Sequence, residues 1–155
     1  MDSVIPESHR KGMMMNDKLD NISYRRNEKI GADLVADLYR RSGINRPFSD
    51  LNRIHKMIEN SNLIFGAWDG QKLVGIARAL TDFSYACYLS DLAVDQAYQR
   101  KGIGTELIRL TQKAAGEESM LLLISAPNAV SYYERVGPQL GMVLKDNAWF
   151  IPRKK

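Results

Sequence analysis

The amino-acid sequence predicts a single domain of the α+β class, a mixed α/β arrangement of one central sheet with flanking helices. Its 155 residues are about the length of one domain. Apolar residues recur at a period near 3.6 over residues 31–60 and 102–115, and at a period near 2 over residues 63–94. A strand, a helix and another strand follow one another over residues 85–124. Those two strands can therefore lie parallel, joined by a right-handed crossover.

The composition is that of an ordinary globular chain, with 45% hydrophobic and 26% charged residues. The formal net charge is +4, but Arg153, Lys154 and Lys155 supply three of these charges. The rest of the chain is close to neutral and carries no basic stripe along the sequence. We therefore expect no nucleic-acid partner.

Two features bear on location. The longest apolar run, residues 120–124, is far shorter than the roughly 20 residues of a membrane span, so we expect no membrane partner. Residues 1–20 are polar and lack the apolar segment of a signal peptide. We interpret them as a disordered N-terminal extension that precedes a domain at residues 21–155.

The chain has one cysteine, Cys87, which excludes an intramolecular disulfide and a CxxC motif. This usage indicates a reducing, cytoplasmic compartment. Because Cys87 lies in an apolar and aromatic run, a small buried hydrophobe is favoured over a nucleophile. His9 and His55 lie far apart without partners at ligand spacing, so no metal site is predicted.

The first elements are a short strand at residues 22–26 and two amphipathic helices at residues 31–41 and 49–60. Their helical spacing is carried by Ala32, Val35, Leu38 and Tyr39 in the first helix, and by Leu51, Ile54, Met57 and Ile58 in the second.

A hairpin follows, because residues 63–68 and 72–81 alternate on either side of an Asp69-Gly70 turn. A third strand is predicted at residues 85–94.

The second half begins with a helix at residues 102–115. The short apolar run at residues 120–124 is typical of a strand buried on both faces. A short helix is predicted at residues 128–136, where Gly137 and Pro138 stop it. Strands at residues 140–145 and 148–152 then close the fold as a hairpin.

The stretch at residues 99–105 joins a strand to a helix through a loop with two glycines. The first turn of a helix presents unpaired N–H groups and the positive end of the dipole, and glycines admit an anion close to the backbone. The pattern therefore predicts a phosphate site. A dinucleotide fingerprint is excluded because Leu107 stands where it needs a third glycine, and no P-loop spacing is present. From these residues alone, a simple tight turn at Gly102 and Gly104 remains an equal alternative.

Residues 99–104 read Gln-Arg-Lys-Gly-Ile-Gly and resemble the QxxGxG or RxxGxG motif of the GNAT superfamily of acetyl-CoA-dependent N-acetyltransferases. Residues 92–94 resemble the fourth strand of that family, and residues 129–137 resemble its later helix with the Ala, Tyr, Glu and Gly of its pattern. The resemblance covers residues 22–152 and is strong from Leu92 onward. One departure is Pro138, where many relatives carry an aromatic residue.

The resemblance implies a twisted mixed sheet of six to seven strands with about four helices. It also implies an acyltransferase that moves an acetyl group from acetyl-CoA to a primary amine by direct attack in a ternary complex, without a metal. In the family, loop amides hold the pyrophosphate, and the pantetheine arm lies along the fourth strand, where that strand parts from residues 119–125. The implied cofactor contacts are Leu92, Ala93, Val94, Gln99, Arg100, Lys101, Gly102, Ile103, Gly104, Thr105, Asn128 and Tyr133.

Two catalytic residues follow from the resemblance. Tyr133 matches the family's acid, since a phenol keeps its proton at neutral pH while a thiol of lower pKa leaves; the alternative is a packing role, as for Tyr132. Asp91 is a candidate base, with a structural hydrogen bond or a substrate anchor as alternatives. Strand alternation places Ser90 and Asp91 on opposite faces. For Asn128, an equal alternative is a helix N-cap.

Several questions stay open in the sequence. A small amine, an antibiotic, an amino acid and a protein amine are all candidate acceptors. Asp50, Asp82 and Asp91 carry charges that attract a cationic amine, but cap and turn roles are favoured. An acyl-CoA sensor or partner module without turnover is the alternative function. Strand edges in such folds often pair between subunits, which predicts a homodimer.

Overall fold

A computed structural model describes residues 21–154, so the extension predicted at residues 1–20 lies outside the described residues. The chain divides into two compact units, of which the first ends at Leu123 and the second begins at Ile124.

A five-stranded mixed sheet forms the centre of the first unit, with the strands in the order β1-β2-β3-β4-β5. Strands β1 to β4 pair antiparallel, and β4 pairs with β5 in parallel. Its elements are β1 (Ile22–Arg26), α1 (Ala32–Ser42), α2 (Leu51–Glu59), β2 (Leu63–Asp69), β3 (Lys72–Thr81), β4 (Ala86–Val94), α3 (Ile103–Ala115) and β5 (Met120–Leu122). The α+β class and the hairpin across Asp69-Gly70 are confirmed.

Helices cover both faces of this sheet. Residues of α1 and α2, among them Leu38, Tyr39 and Ile54, share one core cluster with Ile76 of β3. The neighbouring residue Gly75 faces the other side of the sheet. A Cβ at Gly75 would lie 3.1 Å from both Ile103 Cγ2 and Leu107 Cδ1, so α3 rests directly on the backbone of β3 there.

The described residues contain five strands, and the expectation of six to seven is wrong. The predicted closing hairpin at residues 140–145 and 148–152 has no strand. Most of its apolar side chains are exposed, including Leu144 and Trp149. Alternating residues form a strand where one face is buried, and an isolated two-stranded hairpin is marginal in water. Gly141, in the left-handed region at φ 71°, follows a short 3₁₀ turn at Pro138–Leu140.

Strand β5 also differs from its prediction, because it is three residues long and exposed rather than buried on both faces. Met120 is 59% exposed and Leu122 is 41% exposed. An apolar run of this length has no period that distinguishes a buried strand from an exposed one.

The second unit contains one α-helix, α4 (Val130–Val136), between 3₁₀ turns at Pro127–Ala129 and Pro138–Leu140. Within residues 21–154, no helix has the length and apolar character needed to cross a bilayer.

Candidate active site

The loop between β4 and α3 ends in an open helix N-terminus. A 3₁₀ turn at Gln96–Tyr98 is followed by Arg100 and Gly102, both in the left-handed region at φ 62° and 82°. Glycine adopts this conformation without strain, which explains the residue type at the N-cap of α3. A Cβ at Gly102 would meet none of the described residues within 4 Å. The surface of the loop there is bare backbone.

The first turn of α3 makes this backbone a site for an anion. Gly102 O already accepts the Glu106 N–H at 3.0 Å, so the helix is fully formed from its start. The N–H groups of Ile103 and Gly104 belong to the first turn, where an α-helix supplies no partner of its own. With the helix dipole, they favour a negatively charged ligand such as a phosphate.

Positive charge surrounds the same loop. Arg100 and Lys101 are exposed beside Gly102. The ammonium groups of Lys72 and Lys101 lie 5.1 and 5.3 Å from the centre of the Tyr98 ring. The Tyr98 hydroxyl donates to Asp69 Oδ2 at 2.6 Å, and this hydrogen bond raises the pKa of Tyr98 to about 12. The neutral ring therefore holds two lysines beside the loop.

The side chain of Gln99 is hydrogen-bonded to the backbone at the C-terminal ends of the neighbouring elements α1 and β4. Its Nε2 donates to Val94 O at 2.9 Å and to Ser42 O at 3.4 Å. Gln99 thus braces the loop with its side chain, and its own N–H donates to Gln96 O at 3.4 Å.

Strands β4 and β5 separate beside this loop. They pair over only three positions, from Ala86 with Met120 to Tyr88 with Leu122. From Leu89 to Val94, β4 has no strand partner on that side within the described part of the chain. Leu92 and Val94 lie in this segment and pair on the other side with Ala77 and Gly75 of β3. The segment leaves a strand edge on which an extended group can form backbone hydrogen bonds.

Asp91, the candidate base, lies at the centre of a buried polar cluster. Its carboxylate is fully buried and accepts from Tyr39 Oη at 2.6 Å, Arg46 Nε at 2.5 Å and Arg78 Nε at 2.5 Å. Burial raises the pKa of Asp91, but the hydrogen bond and charge of Arg78, followed by the charge of Arg46, outweigh it and leave the pKa below its ordinary value. A carboxylate with both oxygens engaged and a lowered pKa is a weak base. These contacts favour a structural role for Asp91 over a role as the base.

A β-bulge at Ser90 shapes the strand beside Asp91. Arg78 lies opposite Asp91 and Ala79 lies opposite Leu89, so Ser90 is the additional residue in β4. Arg78 Nη2 donates to Ser90 Oγ at 2.9 Å, and Arg46 Nη2 donates to Ser90 O at 2.7 Å. The side chains of Ser90 and Asp91 thus reach the same arginine. Simple alternation, which separates them, fails here because the bulge changes the phase of the strand.

Three members of this cluster were missed as functional residues: Tyr39, Arg46 and Arg78. Arg78 did leave a signal, since a charged residue within an apolar strand indicates a buried partner. Asp91 in the next strand is the only acidic residue within β4. Arg46 lies in the loop between α1 and α2, where the apolar residues show no helical or strand periodicity. Tyr39 was predicted as a core residue and is fully buried.

The other aspartates behave as predicted. Asp50 Oδ1 accepts the Arg53 N–H at 3.0 Å and caps α2. Asp82 Oδ1 accepts three backbone N–H groups in the β3–β4 turn, from Ser84, Tyr85 and Ala86. Both are cap and turn residues.

Cys87 is buried, as predicted, and burial raises the pKa of its thiol. Among residues 21–154, no three His, Cys, Asp or Glu side chains gather into a group that could hold a metal ion.

Tyr133 and Asn128 belong to the second unit. Burial, with a smaller contribution from Tyr132, raises the pKa of Tyr133 to about 12, so the phenol keeps its proton far above neutral pH. The two tyrosine rings meet edge to face at 5.0 Å. Asn128 is exposed within the 3₁₀ turn, and Ala129 holds the N-cap position of α4. The capping alternative for Asn128 is therefore wrong.

Comparison with known proteins gives one consistent result. Residues 35–138 match a family model described as an acetyltransferase (GNAT) domain. A stretch of 93 residues is 27% identical to an uncharacterized N-acetyltransferase ycf52-like of Prochlorococcus marinus and covers 56% of this chain and 52% of that protein. A second relative, an uncharacterized N-acetyltransferase ycf52 of Pyropia yezoensis, is 28% identical over 93 residues, 56% of this chain and 53% of that protein. The chain thus spans about half the length of the curated relatives it matches.

Solved structures share the fold. A probable acetyltransferase from meticillin-resistant Staphylococcus aureus superposes with a TM-score of 0.72 at 16% identity, over 86% of this chain and 99% of that one. The aminoglycoside N-acetyltransferase AAC(6')-Iy, solved in complex with CoA, gives a TM-score of 0.65 at 16% identity, over 86% of this chain and 95% of that one. At these identities the likeness is one of fold.

Proposed function

Because this chain belongs to the GNAT acetyltransferase family, we propose that it transfers an acetyl group from acetyl-CoA to a primary amine by direct attack in a ternary complex. The observation that carries the proposal is the open N-terminus of α3, where Gly102 leaves bare backbone beside two cationic side chains. A phosphate-bearing donor fits this site by charge and by shape.

The donor would be held by two elements of the first unit. The N–H groups of Ile103 and Gly104 would receive its diphosphate, with Arg100 and Lys101 adding charge at the rim. The free edge of β4 near Leu92 and Val94 would accept the amide-bearing arm, because a strand edge offers alternating donors and acceptors. When bound, the donor supplies an activated thioester carbonyl.

Tyr133 is proposed as the acid. A departing thiolate, whose conjugate thiol has a pKa of about 8.5, requires a proton donor that is still protonated at neutral pH. The pKa of Tyr133, raised to about 12 by burial, meets this requirement. The phenolic hydrogen would pass to the sulfur as the carbon–sulfur bond breaks.

The role of Asp91 as base stays a prediction, and its contacts support a different contribution. By accepting from Tyr39, Arg46 and Arg78 together, Asp91 would hold β4 and the α1–α2 loop in fixed positions. The acceptor would then enter as the neutral amine or lose its proton to water. If Asp91 were the base, the loss of turnover in Asp91→Asn would shrink at high pH, where the amine is free without a base, whereas a positioning role predicts a loss that is the same at every pH.

Two measurements test the proposal. Isothermal titration calorimetry should detect acetyl-CoA binding to the wild-type chain and a severe loss of affinity in Gly102→Glu, whose carboxylate would occupy the anion site. Gly116→Glu is the matched control, because Gly116 also has a positive φ and no contact closer than 4.0 Å but lies at the opposite end of α3. Equal affinities in the two variants would overturn the site assignment.

Turnover is then measured as release of free CoA thiol with an amine panel. The panel includes aminoglycosides, because a structural neighbour is an aminoglycoside N-acetyltransferase, together with polyamines, amino acids and peptides with free amino termini or lysines. Tyr133→Phe should lower kcat strongly, and Tyr132→Phe, which removes the adjacent phenol, should not. Binding of acetyl-CoA without turnover on any amine would favour an acyl-CoA-binding module.

A further inference from the structure

The loop that begins at Asp95 is tied to the C-terminal end of α1. Asp95 is buried, and its Oδ2 pairs with Arg41 Nη1, while Lys72 Nζ lies 3.4 Å from the same oxygen. Its Oδ1 accepts the Ala97 N–H at 2.9 Å, and its own N–H donates to Val74 O at 2.9 Å. A single residue at the start of the loop therefore fixes both the turn and its attachment to β3.

All three nitrogens of the Arg41 guanidinium make polar contacts. Its Nε donates to Asp37 Oδ2 at 2.8 Å, Nη1 pairs with Asp95, and Nη2 donates to Leu73 O at 2.9 Å. The guanidinium thus joins α1, β3 and the loop through three groups, a geometry that the planar fork of arginine permits and lysine does not.

The other end of the loop is attached to the same end of α1. Gln99 Nε2 reaches Ser42 O at 3.4 Å, next to Arg41 in the chain. Asp95 and Gln99 lie at the two ends of residues 95–99, which precede Gly102. The C-terminal end of α1 therefore restrains both ends of this segment.

We propose that Arg41 and Asp95 are positioning residues for donor binding: their ion pair holds the loop in the shape that presents the first turn of α3 to a diphosphate. The inference rests on the proposed function, because it assumes that this loop binds acetyl-CoA. A loop that is ordered before binding saves the entropy of ordering it on binding, and loss of the pair would therefore appear as lost affinity.

The test is acetyl-CoA affinity, measured by calorimetry for Asp95→Asn, Arg41→Gln and the double variant. Asp95→Asn retains an oxygen for the Ala97 N–H and removes only the charge. We expect each single variant to lose about tenfold in affinity, and the double variant to be no weaker than either, as coupled residues behave. Arg40→Gln is the control, because Arg40 is exposed and pairs with Asp37 within α1. Its affinity should equal that of the wild type.

Two further readouts separate positioning from general loss of stability. Amide hydrogen exchange should accelerate over residues 96–105 in both single variants and stay unchanged in β2 and β3. The KM for acetyl-CoA should rise while kcat at saturating donor is retained, and Arg41→Lys should recover part of the affinity. If the wild type binds acetyl-CoA and both single variants bind it equally well, this inference is overturned and the proposed function stands. If the wild type fails to bind, the proposed function falls and the inference with it.

Discussion

Tyr39 donates its phenolic hydrogen to Asp91 across 2.6 Å, which joins the middle of α1 to the bulged strand β4. Both residues are fully buried. Burial, followed by the charge of Asp91, raises the pKa of Tyr39 well above its ordinary value, so the phenol acts only as a neutral donor. Because Arg46 and Arg78 use the same carboxylate, one side chain fixes three segments of the first unit.

Tyr39→Phe should lower the free energy of unfolding by about 1.5–3 kcal/mol, because it removes a hydrogen bond to a buried charged group. Urea denaturation of the full chain measures the change. Tyr85→Phe is the control, since the Tyr85 side chain is 78% exposed, and its stability should match the wild type. A loss below about 0.5 kcal/mol in Tyr39→Phe would show that the cluster is held without this bond.

Gly75→Val should destabilise the first unit by about 1–3 kcal/mol, because even a Cβ at this position would crowd three neighbours. It would lie 3.1 Å from Ile103 Cγ2 and Leu107 Cδ1, and 3.2 Å from Ala67 Cβ. Since Ile103 begins α3, acetyl-CoA affinity should fall in the same variant. Thermal unfolding and calorimetry check the two effects, and an unchanged melting temperature would contradict the close approach of α3 to β3.

The carboxyl group of Asp82 should titrate near pH 2. Its hydrogen bonds from the backbone N–H groups of Tyr85, Ala86 and Ser84 lower its pKa from the ordinary 3.8 to about 2. A lowered pKa contributes stability that is present above about pH 4 and is lost as the pH falls through 2. NMR titration of the side-chain carboxyl carbon measures it, with Asp82→Ala to assign the signal. A midpoint near 3.8 would mean that the turn does not hold this geometry in solution.

Tyr133 should ionise near pH 12. Burial raises its pKa from 10, so the folded chain holds this proton more tightly than the unfolded chain. The resulting stability is complete below about pH 10 and is lost as the pH rises towards 12. The difference in tyrosinate absorbance between wild type and Tyr133→Phe, recorded directly after an alkaline pH jump, isolates this group. Ionisation near pH 10 would mean that the Tyr133 phenol is not buried in solution.

Local chemistry made much of the first unit predictable. The Asp69-Gly70 turn specifies a hairpin, and Gly70 does adopt a positive φ of 59°. The glycines at positions 102 and 104 predicted an open helix start, and Gly102 provides it as the N-cap of α3. In both places a few adjacent residues determine the backbone, so no knowledge of distant contacts is needed.

The features that escaped prediction depend on distant contacts. The cluster at Asp91 joins residues 13 to 52 positions apart, and a hydrophobic pattern does not show which charges will meet. The bulge at Ser90 arises from pairing with β3, so alternation within β4 alone gives the wrong face. The closing hairpin failed for the opposite reason: residues 140–152 have the right local pattern, but most of their apolar side chains remain exposed.

The bulge also limits the length of the free edge of β4. The carbonyl of Ser90 is engaged by Arg46 and that of Val94 by Gln99, so a guest chain aligned on β4 would have only the segment from Asp91 to Ala93 between them. At about 3.3 Å per residue, this segment is about 10 Å long. A strand edge of this length would favour a guest whose amide groups match its spacing, whatever side groups that guest carries.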